Sequence, residues 1–513
     1  MKLKELPIEV EPLPGAMPAF RAAIEAAELP EVCGWARASK GRLVALWGSD
    51  ETSRGAGYAL HLALAFPSGL LWLSAPLARK DPLYPGIADI YPAANRMQRA
   101  CADLLGIRAD EGSDARKWLR HGAWPANAFP LRKDFDAAVR PAQEPDRYPF
   151  VAVAGEGVHE IPVGPVHAGT IEPGHFRFSI VGEKILRLEE RLGYKHKGIE
   201  KRFESMTLEQ GAKLAGRISG DSTVAYAWAY AMAVEGAAGA EPPSRALALR
   251  GILLELERIA NHLGDLGYLG NDVALSFGFF QFWRLKEELL RMNARFFGHR
   301  YLMDAVVPGG VARDLGRSDA EQLVAQLEAI RAEVATLQAI YEEHAGAQDR
   351  FIMTGQVLPE LAERMGLNGF AGRASGVKHD LRVDYPMPPY QQLDPVLISH
   401  TRGDVAARVL VRFEELFESV RLIQALVQEL PPGEIRTAVR GAGSAAGVGW
   451  IEGWRGEVLI ALETAGDRIH RLHPHDPSWQ NWPLLEHAVH GNIVPDFPLI
   501  NKSFNLSYSG QDL

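Results

Sequence analysis

Long apolar stripes at helical spacing dominate the second half of the chain and constrain its fold more than any other feature. In ALALRGILLELERIANHLGDLG, Leu249, Ile252, Leu253, Leu256, Ile259, Ala260 and Leu263 fall on one face of a 3.6-residue repeat. A second stripe runs through Leu323, Leu327, Ile330, Val334, Leu337 and Tyr341, behind Ser318 and Glu321 in the spacing of a capping box. A third, Val409, Phe413, Leu416, Val420, Ile423 and Val427, stops at Pro431-Pro432-Gly433. An alanine-rich stretch after Asp221 and an aromatic one from Phe279 to Phe297 read as two more helices. Helices that each carry one apolar stripe must bury it against one another, so a helix bundle is predicted.

Other segments read differently. Residues 1–140 hold short β-like runs (LVALWG, LHLALAF, LLWLSAP) and one helical stretch at 93–107, the pattern of a small α+β domain. The polar, proline-rich RPAQEPDRYP marks a linker at 141–150, and 151–513 forms a second domain. Strands are expected at VAVAG and HFRFSI, and again from GAGSAAGVGW through EVLIALET; the chain closes on the polar tail NKSFNLSYSGQDL. The fold class is α+β: a small N-terminal α+β domain, then a helix bundle with peripheral β-structure.

With 64 acidic against 55 basic residues and no basic-aromatic pattern, nucleic acid is excluded as a partner. The most apolar window, 59–78, is broken by His61 and by Phe-Pro-Ser-Gly at 66–69, so it reads as two strands around a turn and not as a membrane span. A soluble, cytoplasmic chain is expected. Its two cysteines, Cys33 and Cys101, are too few for a disulfide framework or an iron–sulfur cluster.

Several polar strings stand out. His167, Glu172, His175 and Arg177 lie within eleven residues of loop, where proton transfer can be arranged. The histidines of IHRLHPHD lack the further ligands of a tetrahedral metal set and read as surface or interface groups. Lys195-His196-Lys197 forms a basic cluster, either a solvated face or a docking surface, and Asp221 with Ser222 looks like a helix cap.

Taken together, GPVHAGTIEPGHFRF, RLGYKHKGIEKRFE, RISGDS, ALRGILLELERIANHLGDLG, RASGVKHDLR, WRGEVLI and SFNLSYSGQDL occur in the order of one family. The chain resembles the large subunit of membrane-bound energy-converting nickel–iron hydrogenases, homologous to the 49-kDa subunit of respiratory complex I. The N-terminal part, through WPANAFPLRKDF, resembles the complex I 30-kDa subunit, in the fused arrangement of formate-hydrogenlyase and hydrogenase-4 large subunits.

The resemblance implies a nickel–iron centre held by an Arg-x-Cys-Gly-x-Cys motif and a Cys-x-x-Cys pair. Here those positions are Ser219, Ser222, Ser507 and Gly510, and hydroxyls do not replace thiolates toward a soft metal. No hydrogenase activity, no metal and no cofactor held by this chain alone are therefore expected. At the position of the quinone-site tyrosine of complex I the chain has Gly220, and its loop with Glu172 and His175 is of the hydrogenase type.

What the resemblance implies is an oxidoreductase subunit related to NADH:quinone oxidoreductase, peripheral at the cytoplasmic face of the inner membrane. Its partners would be complex I-like membrane subunits, a ferredoxin-like cluster subunit, and a small subunit that carries a [4Fe–4S] cluster. A quinone-like acceptor would sit beside the cluster, with His167, His175 and Asp221 as proton donors and Glu172 as relay. Asp380 and Arg382 would couple the site to the membrane arm as an ion pair, or serve only as a structural salt bridge. The competing expectation is a non-redox structural and coupling subunit of an ion-translocating complex.

Overall fold

The computed structural model describes residues 8–110, 114–122, 124–136, 138, 147–168, 171–441 and 443–513. Most of the expected linker, residues 141–146, lies outside them. The N-terminal sheet contains β1 (Glu11–Leu13), β2 (Ala19–Ala23), β3 (Arg42–Asp50), β4 (Tyr58–Phe66) and β5 (Gly69–Leu77), in the order β1-β2-β5-β4-β3. Only the β2–β5 pairing is parallel. The window 59–78 is thus the expected pair of strands, Phe66 opposite Gly69.

That window looks uninterruptedly apolar because both faces of the sheet are covered. Leu60, Leu62, Leu64, Leu71 and Leu73 pack beneath helices α1 (Leu29–Ala38) and α2 (Ala94–Leu105). Ala45, Trp47, Ala63, Ala65 and Trp72 join the core of the C-terminal part. Arg54 and Arg21 on Glu463, each at 2.8 Å, and Arg42 on Glu457 at 2.7 Å fasten the contact.

All five expected helices form: α3 (Thr223–Ala238), α4 (Ser244–Asp272), α5 (Ser276–Phe297), α6 (Arg317–Glu343) and α7 (Val405–Gln428). α4 packs on α5 and α7, and α7 on α6. The three stripes are buried, apart from the partly buried Val427. The capping box is not formed: α6 begins at Arg317 with Gly316 as its cap, and the Ser318 hydroxyl instead accepts from the Gln322 amide at 3.3 Å. Two close approaches explain small residues. Gly447 and Gly449 lie so near α3 that a Cβ would stand 1.9 and 1.8 Å from the Ala233 and Ala229 carbonyls. A Cβ at Gly270 or Gly278 would stand 2.1 or 2.5 Å from the Tyr341 hydroxyl, which donates to the Leu266 carbonyl at 2.8 Å.

α4 is buried on its charged side too. Glu255 accepts from Ser419 at 2.6 Å, His262 meets Glu415 at 3.0 Å and Arg412 reaches Asp265 at 2.9 Å, making a polar seam between α4 and α7. Buried charge of this kind is tolerated only when each member is paired.

Around the bundle lie β6 (Val158–Val163), β7 (His175–Val181) and β8 (Lys184–Arg191), and a second antiparallel sheet of β9 (Ala446–Glu452), β10 (Glu457–Ala465) and β11 (Arg468–His475). Two of the three histidines of β11 are not surface groups: His473 bonds Glu200 at 2.8 Å, His475 bonds Gln480 at 2.9 Å, and both are buried, while the half-buried His470 meets Glu51 at 3.2 Å. Nor is the closing segment an exposed tail. It folds into α8 (Ser478–Ala488), α9 (Phe497–Phe504) and α10 (Tyr508–Asp512), turning at Asn505 with φ +43°. The buried Asp512 carboxylate accepts the Gly193 and Lys195 N–H groups at 2.9 and 2.8 Å.

Candidate functional site

The loop before α3, the end of α4, the loop after β6 and the segment from α9 to α10 meet around a cavity of about 500 Å³. Glu172, Ser219, Asp221, Tyr268, Asp272, Arg455, Lys502 and Ser507 are among its lining residues. The pairing at its wall is dense. Arg455 holds Asp221 at 2.5 Å, reaches the Ser222 hydroxyl at 3.3 Å and donates to the Asn505 carbonyl at 2.6 Å. Its guanidinium lies 4.1 Å from the centroid of the Trp454 ring. Ser219 donates to Asp221 at 2.8 Å and shares a hydrogen bond with Ser507 at 2.9 Å. The Trp454 indole and the Asn261 amide both donate to the Asp221 carbonyl at 2.8 Å.

Asp221 is therefore not the helix cap its position suggested. Its carboxylate turns to Arg455, while Glu257 accepts the Val224 and Ala225 N–H groups at 2.6 and 3.2 Å. Burial alone would raise the Asp221 carboxyl, but Arg455 and the Ser219 hydroxyl hold it below the usual carboxylate range. Burial pushes Glu257 the other way, up to about 8. Glu257, Gly220 and Asp221 also line a small void of about 10 Å³ behind the cavity wall.

Of the residues expected at the site, the structure brings Glu172 and Asp221 to the cavity. Glu172 accepts from the Ser509 N–H at 3.0 Å and from its hydroxyl, so it also anchors α10. His167 and His175 do not line the cavity: the first bonds the Gly174 carbonyl at 2.7 Å, the second the Gly164 carbonyl at 3.3 Å, and together they tie their own loop. Burial lowers His175 from its ordinary value. Asp380 and Arg382 pair at 2.7 Å deep in the seam, where Arg382 also reaches Glu255 at 3.1 Å, and neither touches the cavity. Of the basic cluster, His196 bonds the Asp512 carbonyl at 2.7 Å and Lys197 the Ile218 carbonyl at 2.8 Å, so both turn inward and the three side chains make no continuous basic face.

Sequence reasoning missed Arg455, Lys502, Tyr268, Asp272 and Glu257. Arg455 stood inside WRGEVLI, and a charged residue amid apolar β-like runs was the available signal.

Two family profiles match the chain: the 49 Kd subunit of respiratory-chain NADH dehydrogenase over residues 272–445, and its 30 Kd subunit over 22–141. Formate hydrogenlyase subunit 5 of Escherichia coli is 32% identical over 94% of this chain and 87% of its own length. The chain belongs to the family of fused 30- and 49-kDa complex I-type subunits. Hydrogenase-4 component G of Escherichia coli is also 32% identical, over 92% of this chain and 84% of that one. The fused C/D polypeptide of NADH-quinone oxidoreductase in Phocaeicola vulgatus is 30% identical over 83% of this chain and 86% of its own. A solved chain of the archaeal membrane-bound sulfane sulfur reductase shares the fold, with a TM-score of 0.66 and 23% identity over 71% of this chain and all of that one.

The resemblance to nickel–iron hydrogenases puts their four metal-binding thiolates at Ser219, Ser222, Ser507 and Gly510, and the residues present here do not fit the metal. The Ser219 and Ser507 hydroxyls bond each other, Ser222 faces Arg455, and the Asp476 carboxylate fills the space of a Cβ at Gly510, 2.2 Å from where it would stand. Asp476 is fixed there by the Tyr226 hydroxyl at 2.7 Å and the Ser478 N–H at 2.9 Å. In place of four soft donors the family member has a hydroxyl, carboxylate and guanidinium network satisfied within itself. Among the described residues no helix is long and apolar enough to cross a membrane.

Proposed function

We propose that this complex I-like protein forms, together with a small subunit that bears a [4Fe–4S] cluster, the pocket in which a quinone-like acceptor is reduced, in a membrane complex that couples the reaction to ion translocation. It lies peripherally at the cytoplasmic face, held by membrane subunits, and has no hydrogenase activity. The observation that carries this reading is the polar cavity lined by Asp221, Arg455 and Lys502 at the positions where the resemblance puts the thiolates.

A cluster on the partner subunit would supply the two electrons, one at a time, that with two protons convert quinone to quinol. Because Asp221 is held ionised beside Arg455, it accepts and passes protons instead of storing them. Glu257, lifted by burial to about 8, holds a proton at neutral pH on the far side of Asp221. Glu172 offers a second route at the loop, held by Ser509. His167 and His175 keep that loop in shape.

The test is quinone-analogue reduction by the purified complex. Asp221→Asn should lower kcat at least tenfold, while His167→Ala changes it less than threefold. A complex that translocates ions but reduces no quinone would establish the non-redox coupling role instead.

A further inference from the structure

The acceptor cavity is polar, yet one wall continues into an aromatic ladder that reaches the surface. Tyr268, in the last turns of α4, lines the cavity. Its ring lies 5.6 Å from Phe279 and 5.1 Å edge-on from Trp283, and Phe279 stands 5.4 Å from Phe280. Phe280 is 66% exposed and Phe277, one turn earlier at the start of α5, is 53% exposed. On the cavity side the Lys502 ammonium stands 4.4 Å over the same Tyr268 ring. Among the described residues Lys502 forms no close ion pair, unlike Arg455, which is committed to Asp221; its charge acts on Asp272, which lines the same cavity.

Exposed aromatic side chains continuous with a polar cavity mark the path of a ligand that is polar at one end and apolar along the rest. A small hydrophilic acceptor would have no use for Phe279 and Phe280; a lipid-soluble quinone would. Resting on the quinone reading above, we infer that Lys502 binds a carbonyl oxygen of the quinone head against the Tyr268 face, and that Phe279 and Phe280 carry its apolar side chain out past the turn between α4 and α5. The Lys502 ammonium offsets the negative charge that a carbonyl oxygen gains on reduction, and the ring beneath it keeps that ammonium partly out of water.

The experiment compares two probes on the purified complex: a benzoquinone bearing a decyl chain and the same benzoquinone without one. For Phe280→Ser, and for Phe279→Ser with Phe280→Ser, the ratio of KM for the chain-bearing to the chainless quinone should rise about tenfold. Lys502→Met should raise KM for both probes about tenfold, with Lys502→Arg recovering most of the loss. A ratio left within twofold by the phenylalanine variants overturns the side-chain path, and Lys502→Met with unchanged KM overturns the head site. Loss of a protein component from the purified Phe280→Ser complex overturns the path in favour of protein docking at these rings. If the unaltered complex reduces neither probe, the quinone reading itself fails, an outcome distinct from the others.

Discussion

Removing the Asp221–Arg455 pair tests the site most directly, because its energetics follow from its geometry. Two unit charges about 4 Å apart at an effective dielectric of ~20 attract by ~4 kcal/mol. The Arg455 side chain is 3% exposed but that of Asp221 is 40% exposed toward the cavity, and solvent screening on that side removes roughly half of the attraction. A double-mutant cycle of Asp221→Asn and Arg455→Met should therefore return a coupling energy of ~2 kcal/mol. Arg455→Met alone should cost more, ~3 kcal/mol, since it also strands the Asn505 carbonyl and removes the contact with Trp454. The assay is denaturant unfolding of the four proteins at low salt, followed by Trp fluorescence and by circular dichroism so that a second transition would be seen. A coupling energy below ~0.5 kcal/mol would refute the reasoning, for it would mean that the cavity-side water screens the pair as fully as at an open surface.

Ser507 caps α10 by accepting the Gly510 N–H at 2.8 Å, so Ser507→Ala should cost ~1 kcal/mol and show as faster amide exchange in α10. Gly270→Ala would push against the Tyr341 hydroxyl and should destabilise the fold by ~2 kcal/mol at the thermal midpoint, an effect that Tyr341→Phe in the same chain largely relieves. His475 and His61 are held neutral by burial, lowered to about 3 and about 4. The unfolded chain, with histidines near ~6.5, binds more protons than the folded one between those values, so stability should fall as pH drops from about 6.5 toward 4. Unfolding midpoints at stepped pH, with His475→Gln flattening the slope, check this.

What could be read in advance follows from distance along the chain. The stripes of α4, α6 and α7 are local patterns, and each predicted a helix that the structure contains. The pairing across 59–78 was also visible, since its turn residues lie between the strands. The polar seam was invisible because its partners, such as His262 and Glu415 or Arg382 and Glu255, are separated by more than a hundred residues and each looks like a solvated charge in its own helix. The same holds at the cavity: Asp221 was legible from its motif, but its partner Arg455 and the lining Lys502 came from distant segments. The closing segment misled for a different reason. Its asparagines and serines look solvent-seeking, yet they make the turn at Asn505 and the cap at Ser507 that let the adjoining Phe504 and Leu506 be buried.

The hydrogen bond between Ser219 and Ser507 spans 288 residues of sequence. Nearly half of the cavity wall is made by a segment that leaves the ribosome long after the bundle helices have emerged. During synthesis the bundle can collect its apolar stripes, but the hollow stays open on one side until residues 498–509 arrive. The hollow is consequently incomplete until that segment is in place, and nicked forms lacking residues 498–509 should lose whatever binding the cavity supports, however well their helices are folded.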